Sequence, residues 1–299
     1  MGDVLAGIHA TWEFDSDSVL IRFGRGIRTP KLFQALRERR VPHAALASVT
    51  LSPGKRGTVV LRAVPRPGAD PLMEAADGQL RDSGDPYRLV LPAERETLAE
   101  YYADELRAAL TAAGPADAGE PAERFLVAAP PAPLHFKAYD GKVSFDGSKV
   151  TFRWFWTGAS SAKWKQGDQS FAVPELSGVE WRSPEVFDGH LRMVRRGEDR
   201  REFTRADHDP TAVVFGLGYG PVHESLPFAA AVLAAVRTSG PGPAGSGGPG
   251  PVPVPAIASG RRHPADIAER IRHLGELHRA GLVTDDEFSA KKAELLAEL

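Results

Sequence analysis

Val143-Ser-Phe145-Asp146-Gly-Ser-Lys-Val150-Thr-Phe152-Arg-Trp154-Phe155-Trp156, continued by Phe171-Ala-Val-Pro174-Glu-Leu176-Ser-Gly-Val179-Glu-Trp181, is a pattern that the chain carries twice. Its earlier form reads Trp12-Glu-Phe14-Asp15-Ser-Asp-Ser-Val19-Leu-Ile21-Arg-Phe23 and then Val41-Pro42-His-Ala-Ala-Leu46-Ala-Ser-Val49-Thr-Leu51. Phe14 and Val19 match Phe145 and Val150 at a separation of 131 residues, and Leu46 and Val49 match Leu176 and Val179 at 130. Self-similarity at a fixed period indicates one structural unit used twice. Residues 12 to 23 alternate apolar and polar around an Asp-Ser-Asp-Ser turn, which predicts a strand, a tight turn and a second strand.

Outward from these segments the order of elements also repeats. In the first copy, residues 45 to 51 and 57 to 64 read as strands around the turn Ser52-Pro-Gly-Lys, followed by a polar loop from Arg66 to Asp85 and a strand from Tyr87 to Leu91. The period then changes: Leu98, Tyr101, Tyr102, Leu106, Ala109 and Leu110 share one helical face after Pro92, Glu94 and Glu96. In the second copy, strands are expected at 142 to 146, 149 to 156, 171 to 173, 176 to 182, 189 to 195 and 211 to 215. There Ser225-Leu-Pro227 opens a helix carrying Leu226, Val232, Leu233 and Val236. Several short strands followed by one helix define an α+β unit, a bent antiparallel sheet or open barrel plugged by its C-terminal helix. Matched positions should share an environment, so Val19, Val150, Leu46 and Leu176 are expected to be buried.

The 299 residues suffice for two such units, 1–113 and 134–238, an Ala/Pro linker at 114–133, a Gly/Pro-rich linker at 239–262 and a tail at 263–299. Hydrophobic residues at 42% and charged residues at 25% place the chain in the globular class. A formal net charge of −2 gives no general attraction to nucleic acid, so no nucleic-acid partner is expected, and any anionic partner must meet a local patch. The absence of cysteine removes thiolate catalysis, disulfides and cysteine metal sites. Neither a signal peptide nor an apolar run of about 20 residues is read. Gly2 lacks the hydroxyl residue that a myristoylation pattern wants at position 6, which is Ala. The expected location is cytoplasmic, with peripheral membrane contact as a variant.

The tail carries the strongest local signals. Ile267, Ile271, Leu274 and Leu277 recur at helical spacing before Gly281, and Thr284-Asp-Asp-Glu287 forms a capping box flanked by Val283 and Phe288 as a hydrophobic staple. Leu295, Leu296 and Leu299 continue a second helix, completing a helical hairpin. Together with Lys291 and Lys292, this run resembles the SHOCT module, a short C-terminal hairpin of bacterial proteins. The duplicated Phe-Asp-x-x-x-Val and Pro-x-x-Leu-x-x-Val patterns resemble an uncharacterised bacterial family with tandem pleckstrin-homology-like domains ahead of such a tail. The resemblance implies two pleckstrin-homology-like domains plus the hairpin, and no activity. Within it, Val41-Pro42 sits upstream of its counterpart, which leaves the strand register of the first copy open.

Catalytic, metal-binding and anion-binding chemistry each require particular residue types at particular spacings. Gly216-x-Gly218-x-Gly220 and Gly24-x-Gly26 do not complete a dinucleotide fingerprint and read as turns. The nine His include no pair at metal-ligand spacing, so neither metal nor cofactor is expected. Ser160-Ser-Ala-Lys163 has nucleophile-pair spacing but polar neighbours, and reads as loop. No catalytic residue is assigned, and the chain is read as non-enzymatic. Two basic segments remain. Arg22, Arg25, Arg28, Lys31, Arg37, Arg39 and Arg40 face only Glu38 within nineteen residues, in a copy whose fifteen basic and fifteen acidic residues balance. Arg153, Lys163 and Lys165 alternate with Trp154, Trp156 and Trp164 in the second copy. Each is a candidate surface for anionic ligands, with Arg forking phosphate and Trp entering an interface; otherwise the first is a solvated loop or strand face and the second a half-buried aromatic strand. For the first, Leu32, Phe33 and Leu36 allow a short amphipathic helix instead. The leading functional expectation is an adaptor acting by protein–protein contact, self-associating or docking through Ile267, Ile271, Leu274, Leu277, Phe288, Leu295 and Leu296. The alternatives are an anionic membrane headgroup binder using Arg22 to Arg40, and an enzyme of unrecognised type.

Overall fold

The computed structural model describes residues 3–112, 120–197 and 205–239; the linker beyond Ser239 and the hairpin read in 263–299 lie outside the described residues. The first copy runs β1 (Asp3–Ala6), β2 (Ala10–Phe14), β3 (Ser18–Phe23), α1 (Lys31–Leu36), β4 (Glu38–Pro42), a 3-10 turn (His43–Ala45), β5 (Leu46–Pro53), β6 (Thr58–Pro65), α2 (Pro71–Ala76), β7 (Arg88–Pro92) and α3 (Glu96–Ala112). The second runs β8 (Leu134–Lys137), β9 (Gly141–Phe145), β10 (Lys149–Trp154), α4 (Ser161–Gln166), β11 (Gln169–Ala172), a 3-10 turn (Val173–Glu175), β12 (Leu176–Arg182), β13 (His190–Arg195), β14 (Ala212–Val214) and α5 (Val222–Ser239). Both copies form a four-stranded antiparallel meander, β1-β2-β3-β4 or β8-β9-β10-β11, and a three-stranded one, β5-β6-β7 or β12-β13-β14. The duplication therefore holds at the level of strand order.

It also holds at single residues. Ser18 pairs Pro42 and Val19 pairs Val41, as Lys149 pairs Ala172 and Val150 pairs Phe171, so the displaced Val41-Pro42 leaves the register unchanged. A register shift falls between Leu46 and Ser48 in one copy and between Leu176 and Gly178 in the other. Such a bulge bends the strand, and it does so at the same place twice. The sheets meet where the Ile8 N–H donates to Val90 O at 2.8 Å and, correspondingly, the Tyr139 N–H to Val214 O at 2.9 Å. Neither copy closes into a barrel. Val19, Val150, Leu46 and Leu176 are all buried, as expected from their matching.

Four details differ from the sequence reading. The edge strands β1, β4 and β8 were not anticipated, because four or five residues give too little alternation to read. The polar stretch from Arg66 to Asp85 contains α2, started by the Asp70 side chain accepting the Leu72 N–H at 2.9 Å with Pro71 at the first helical position. In α3 the buried face is Ala99, Tyr102, Ala103, Leu106 and Leu110, while Leu98 and Tyr101 are exposed. The small Ala99 and Ala103 are the residues that turn toward the sheet. Finally, α5 begins at Val222 and carries Pro227 inside it, where the missing N–H leaves the His223 carbonyl without its intrahelical donor.

The core explains why α5 is apolar nearly all round. Leu226, Phe228, Ala229, Val232 and Val236 belong to the second copy's core, and that same cluster includes Leu32 of α1 and Leu72, Ala75 and Ala76 of α2 from the first copy. Gln79, just past α2, donates to Trp181 O and accepts the Ser183 N–H, both at 2.9 Å. At the other end of α5, Arg237 donates to Gly68 O at 3.1 Å and Ala122 O at 3.3 Å and lies over the Phe125 ring. One helix thus serves its own sheet and the neighbouring copy.

Candidate functional site

The first basic segment disperses into three environments. Strand β4 alternates outward and inward, so adjacent arginines part company. Arg40 points out to Asp15 at 2.6 Å, whereas Arg39 points in, with 4% of its side chain exposed, and its Nη2 donates to Asp70 Oδ1 at 2.6 Å. Asp70 Oδ2 accepts the Tyr87 hydroxyl at 2.7 Å, closing an Arg39–Asp70–Tyr87 network beneath α2. Burial and the Asp70 charge hold the Tyr87 phenol well above its ordinary range, and Asp70 keeps Arg39 charged against the cost of burial. Arg22 faces Glu13 at 3.4 Å and Glu38 at 3.8 Å. Arg37 caps α1 with a left-handed φ of 60°, where the matched residue of α4 is Gly167 at 69°. Within this segment Arg25, Arg28, Lys31 and Arg37 are exposed with no ion pair among the described residues. Arg39 is thereby corrected from surface cation to core residue. The alternative of a short helix is realised in α1, with Leu32 and Phe33 buried.

The second segment divides in the same way. Lys163 is fully buried, its Nζ donating to Asp140 Oδ2 at 2.5 Å and Ala212 O at 2.8 Å, 4.9 Å from the Trp154 ring centroid. Trp154 is buried too, its Nε1–H donating to Gly167 O. Both are corrected from surface to core, because α4 lays its inner face over the sheet. The stretch expected as loop is instead the start of α4, capped by Ser160, and Lys163 belongs to Asp140, so the Ser/Lys spacing is structural. Arg153, Trp156 and Lys165 are exposed and Trp164 is half-buried. Residues Ile267 to Leu296 of the hairpin lie outside the described residues.

One pair escaped sequence reading altogether. Asp85 accepts the Tyr87 N–H and faces Arg62 at 3.2 Å; Asp209 accepts the Thr211 N–H and faces Arg192 at 2.8 Å. The two arrangements occupy matched places, and the signal was the dipeptide Asp85-Pro86 repeated as Asp209-Pro210. Among the described residues no three His, Asp or Glu converge as a metal site, and no helix is long and apolar enough to cross a membrane.

What reaches solvent is apolar as well as basic. In the second copy, loops 138–140, 155–160 and 215–221 come together: Phe155 N–H donates to Asp140 O and Gly220 N–H to Lys137 O, and the Tyr139 and Tyr219 rings meet edge to face with centroids 6.3 Å apart. Tyr139, Trp156, Leu217 and Tyr219 are exposed there. A cleft of about 500 Å³ runs between this loop cluster and the first copy, with Pro30, Lys31 and Leu32 on one wall and Leu217, Tyr219 and His223 on the other.

Two antiparallel sheets bent together, with a C-terminal helix packed across them, define a pleckstrin-homology-like domain, here present in tandem. The family comparison adds the finer assignment: the model described as a domain of unknown function (DUF4429) matches residues 12–107 and 143–233, and the chain belongs to that family. The short C-terminal domain matches residues 269–296. No curated protein matches the chain.

Proposed function

We propose that this protein is a non-catalytic adaptor that works by contact. The two pleckstrin-homology-like copies act as one platform, and the short C-terminal domain supplies self-association or docking to a protein partner in the cytoplasm. The observation that carries this reading is the fate of the ionisable groups. Both buried constellations, Arg39–Asp70–Tyr87 and Lys163–Asp140, are closed by packing, whereas the exposed features are loops bearing large apolar side chains. Groups held inside a core support a fold; exposed apolar side chains in company support recognition. A hairpin of about 35 residues is below the size at which a core usually holds alone, which favours docking of its apolar face.

The test compares the full chain with one ending at Ser239 by sedimentation velocity and by cross-linking of purified protein. The full chain is expected to self-associate at micromolar concentration and the shortened one to remain monomeric, with a cooperative unfolding transition retained and only the hairpin's helical signal lost from the far-UV spectrum. Phe288→Ala should weaken the association. Equal behaviour of the two chains would remove the role given to the tail.

A further inference from the structure

We propose that the protein meets anionic bilayers through one composite edge to which both copies contribute. The inference rests on the reading of the chain as a contact protein, and it assigns one of its surfaces to a lipid partner. From the first copy, the loop between β3 and α1 presents Ile27 wholly to solvent (103% of its reference exposure) between Arg25 and Arg28, with Lys31 following at the start of α1. From the second copy, Leu217 is equally exposed (102%) at the tip of the turn in which Gly216 and Tyr219 pair. Tyr139 and Tyr219 meet at that turn, and Trp156 is exposed on the loop 155–160.

Pro30 and Lys31, where the first loop runs into α1, and Leu217 and Tyr219 of the second line one cleft, so the two loops flank the same opening. Lys31 is near enough to His223 on the opposite wall for its charge to add to burial in disfavouring protonation of the imidazole. The nearby acidic Glu185 is occupied by Arg81 at 2.9 Å. Behind the second copy's loops, Lys137, Lys142 and Arg153 stand directly opposite one another on β8, β9 and β10. The adjacent Lys137 and Lys142 add positive charge beside the loop cluster.

The combination selects the partner. Exposed aliphatic and aromatic tips enter the boundary between headgroups and acyl chains, while cations beside and behind them remain at headgroup level. A soluble phosphate would give Ile27 and Leu217 nothing to do. A purely apolar protein groove would leave the flanking cations desolvated.

The experiment is liposome co-sedimentation of the full-length protein at physiological salt, with vesicles of equal parts phosphatidylglycerol and phosphatidylcholine against phosphatidylcholine alone. Binding is expected to the anionic vesicles only, and to weaken as salt is raised. Ile27→Asp with Leu217→Asp should lower partitioning about tenfold or more. Arg25→Ala with Arg28→Ala should do likewise, whereas Arg195→Ala with Arg196→Ala, at the end of β13 remote from the loop cluster, should change it less than about threefold. Absence of anionic binding overturns the proposal, as does an equal effect of the two arginine pairs or indifference to the tip variants. Free inositol phosphates displacing the protein completely would reassign the site to a soluble anion. Concentration-dependent dimerisation abolished by Leu217→Asp would reassign the edge to a second copy of the chain. Neither result bears on tail-dependent association, which the chain ending at Ser239 tests separately.

Discussion

Lys163 occupies the place in α4 that Phe33 occupies in α1, and Asp140 the place before β9 that His9 occupies before β2. In the first copy Phe33 stacks on Phe23 with centroids 4.7 Å apart; in the second, Lys163 lies over Trp154, the counterpart of Phe23. One backbone thus supports an aromatic pair or a buried ion pair. Burial raises the Asp140 carboxyl above its ordinary 3.8 and lowers the Lys163 ammonium below 10.5, so mutual attraction does not fully offset desolvation. The folded chain holds the Asp140 proton more tightly than the unfolded chain. That term favours folding below 3.8 and is lost as pH rises through the folded value. Lys163 does the reverse: its term favours folding above 10.5 and is lost as pH falls through the folded value. At neutral pH both weigh against the fold. Lys163→Ala, which strands a buried carboxylate, should cost about 3–5 kcal/mol in urea unfolding at pH 7. Lys163→Phe with Asp140→Asn keeps an acceptor for the Val214 N–H and should come within about 1 kcal/mol of the wild type or exceed it. Its advantage should shrink on acidification through the Asp140 titration. If the double variant is as damaged as Lys163→Ala, the pair is an irreplaceable part of the core.

At the scale of elements, α2 is the helix of the first copy that has no counterpart among the described residues of the second. Its six residues would not hold a helix in isolation. The Asp70 cap, the Arg39 and Tyr87 contacts to that cap, and the burial of Leu72, Ala75 and Ala76 against the second copy fix it in place. Asp70→Ala removes the cap and leaves the Arg39 charge buried, so about 3–5 kcal/mol should be lost. Tyr87→Phe deletes one bond to a charged group and should cost about 1.5–3 kcal/mol. Hydrogen exchange should rise first in residues 71–76 of the Asp70 variant; uniform protection there would mean that packing alone holds α2. This element also marks the boundary of what the sequence discloses. The paired segments around Phe14 and Phe145 were readable because two copies of one pattern reinforce each other. Helix α2 was not, since six residues supply less than two turns of periodicity, although Asp70-Pro71 was a legible start signal. Arg39 was read with its neighbours as surface because its partners lie 31 and 48 positions along the chain, and only the strand period of β4 separates it from Arg40. The loop cluster around Leu217 was read as turn glycines, and its apolar tips came together only through the fold.

For the whole molecule, the shared helix decides how the two copies respond to stress. A tandem repeat joined by an Ala/Pro linker suggests two independently melting domains, and the all-round apolar face of α5 was the sequence's one hint to the contrary. Alone, the second copy would expose the α5 surface that α1 and α2 now cover, along with the Trp181 carbonyl and the Ser183 amide bonded to Gln79. Interfaces between domains of one chain permit independent motion when small and polar, and couple unfolding when their cores merge. Leu32 and Leu72 are buried in the second copy's core, which is the merged case. Residues 3–239 should therefore unfold in one transition. Leu72→Ala should cost about 2–5 kcal/mol, and although Leu72 belongs to the first copy, it should lower the midpoint seen by the second copy's four tryptophans as much as that seen by exchange in β2 and β3. The measurement is thermal unfolding of the full chain followed by tryptophan fluorescence and by hydrogen-exchange mass spectrometry. Two separate transitions in the wild type, or a fluorescence midpoint left unmoved by Leu72→Ala, would show that the copies fold independently and that α5 needs only its own sheet.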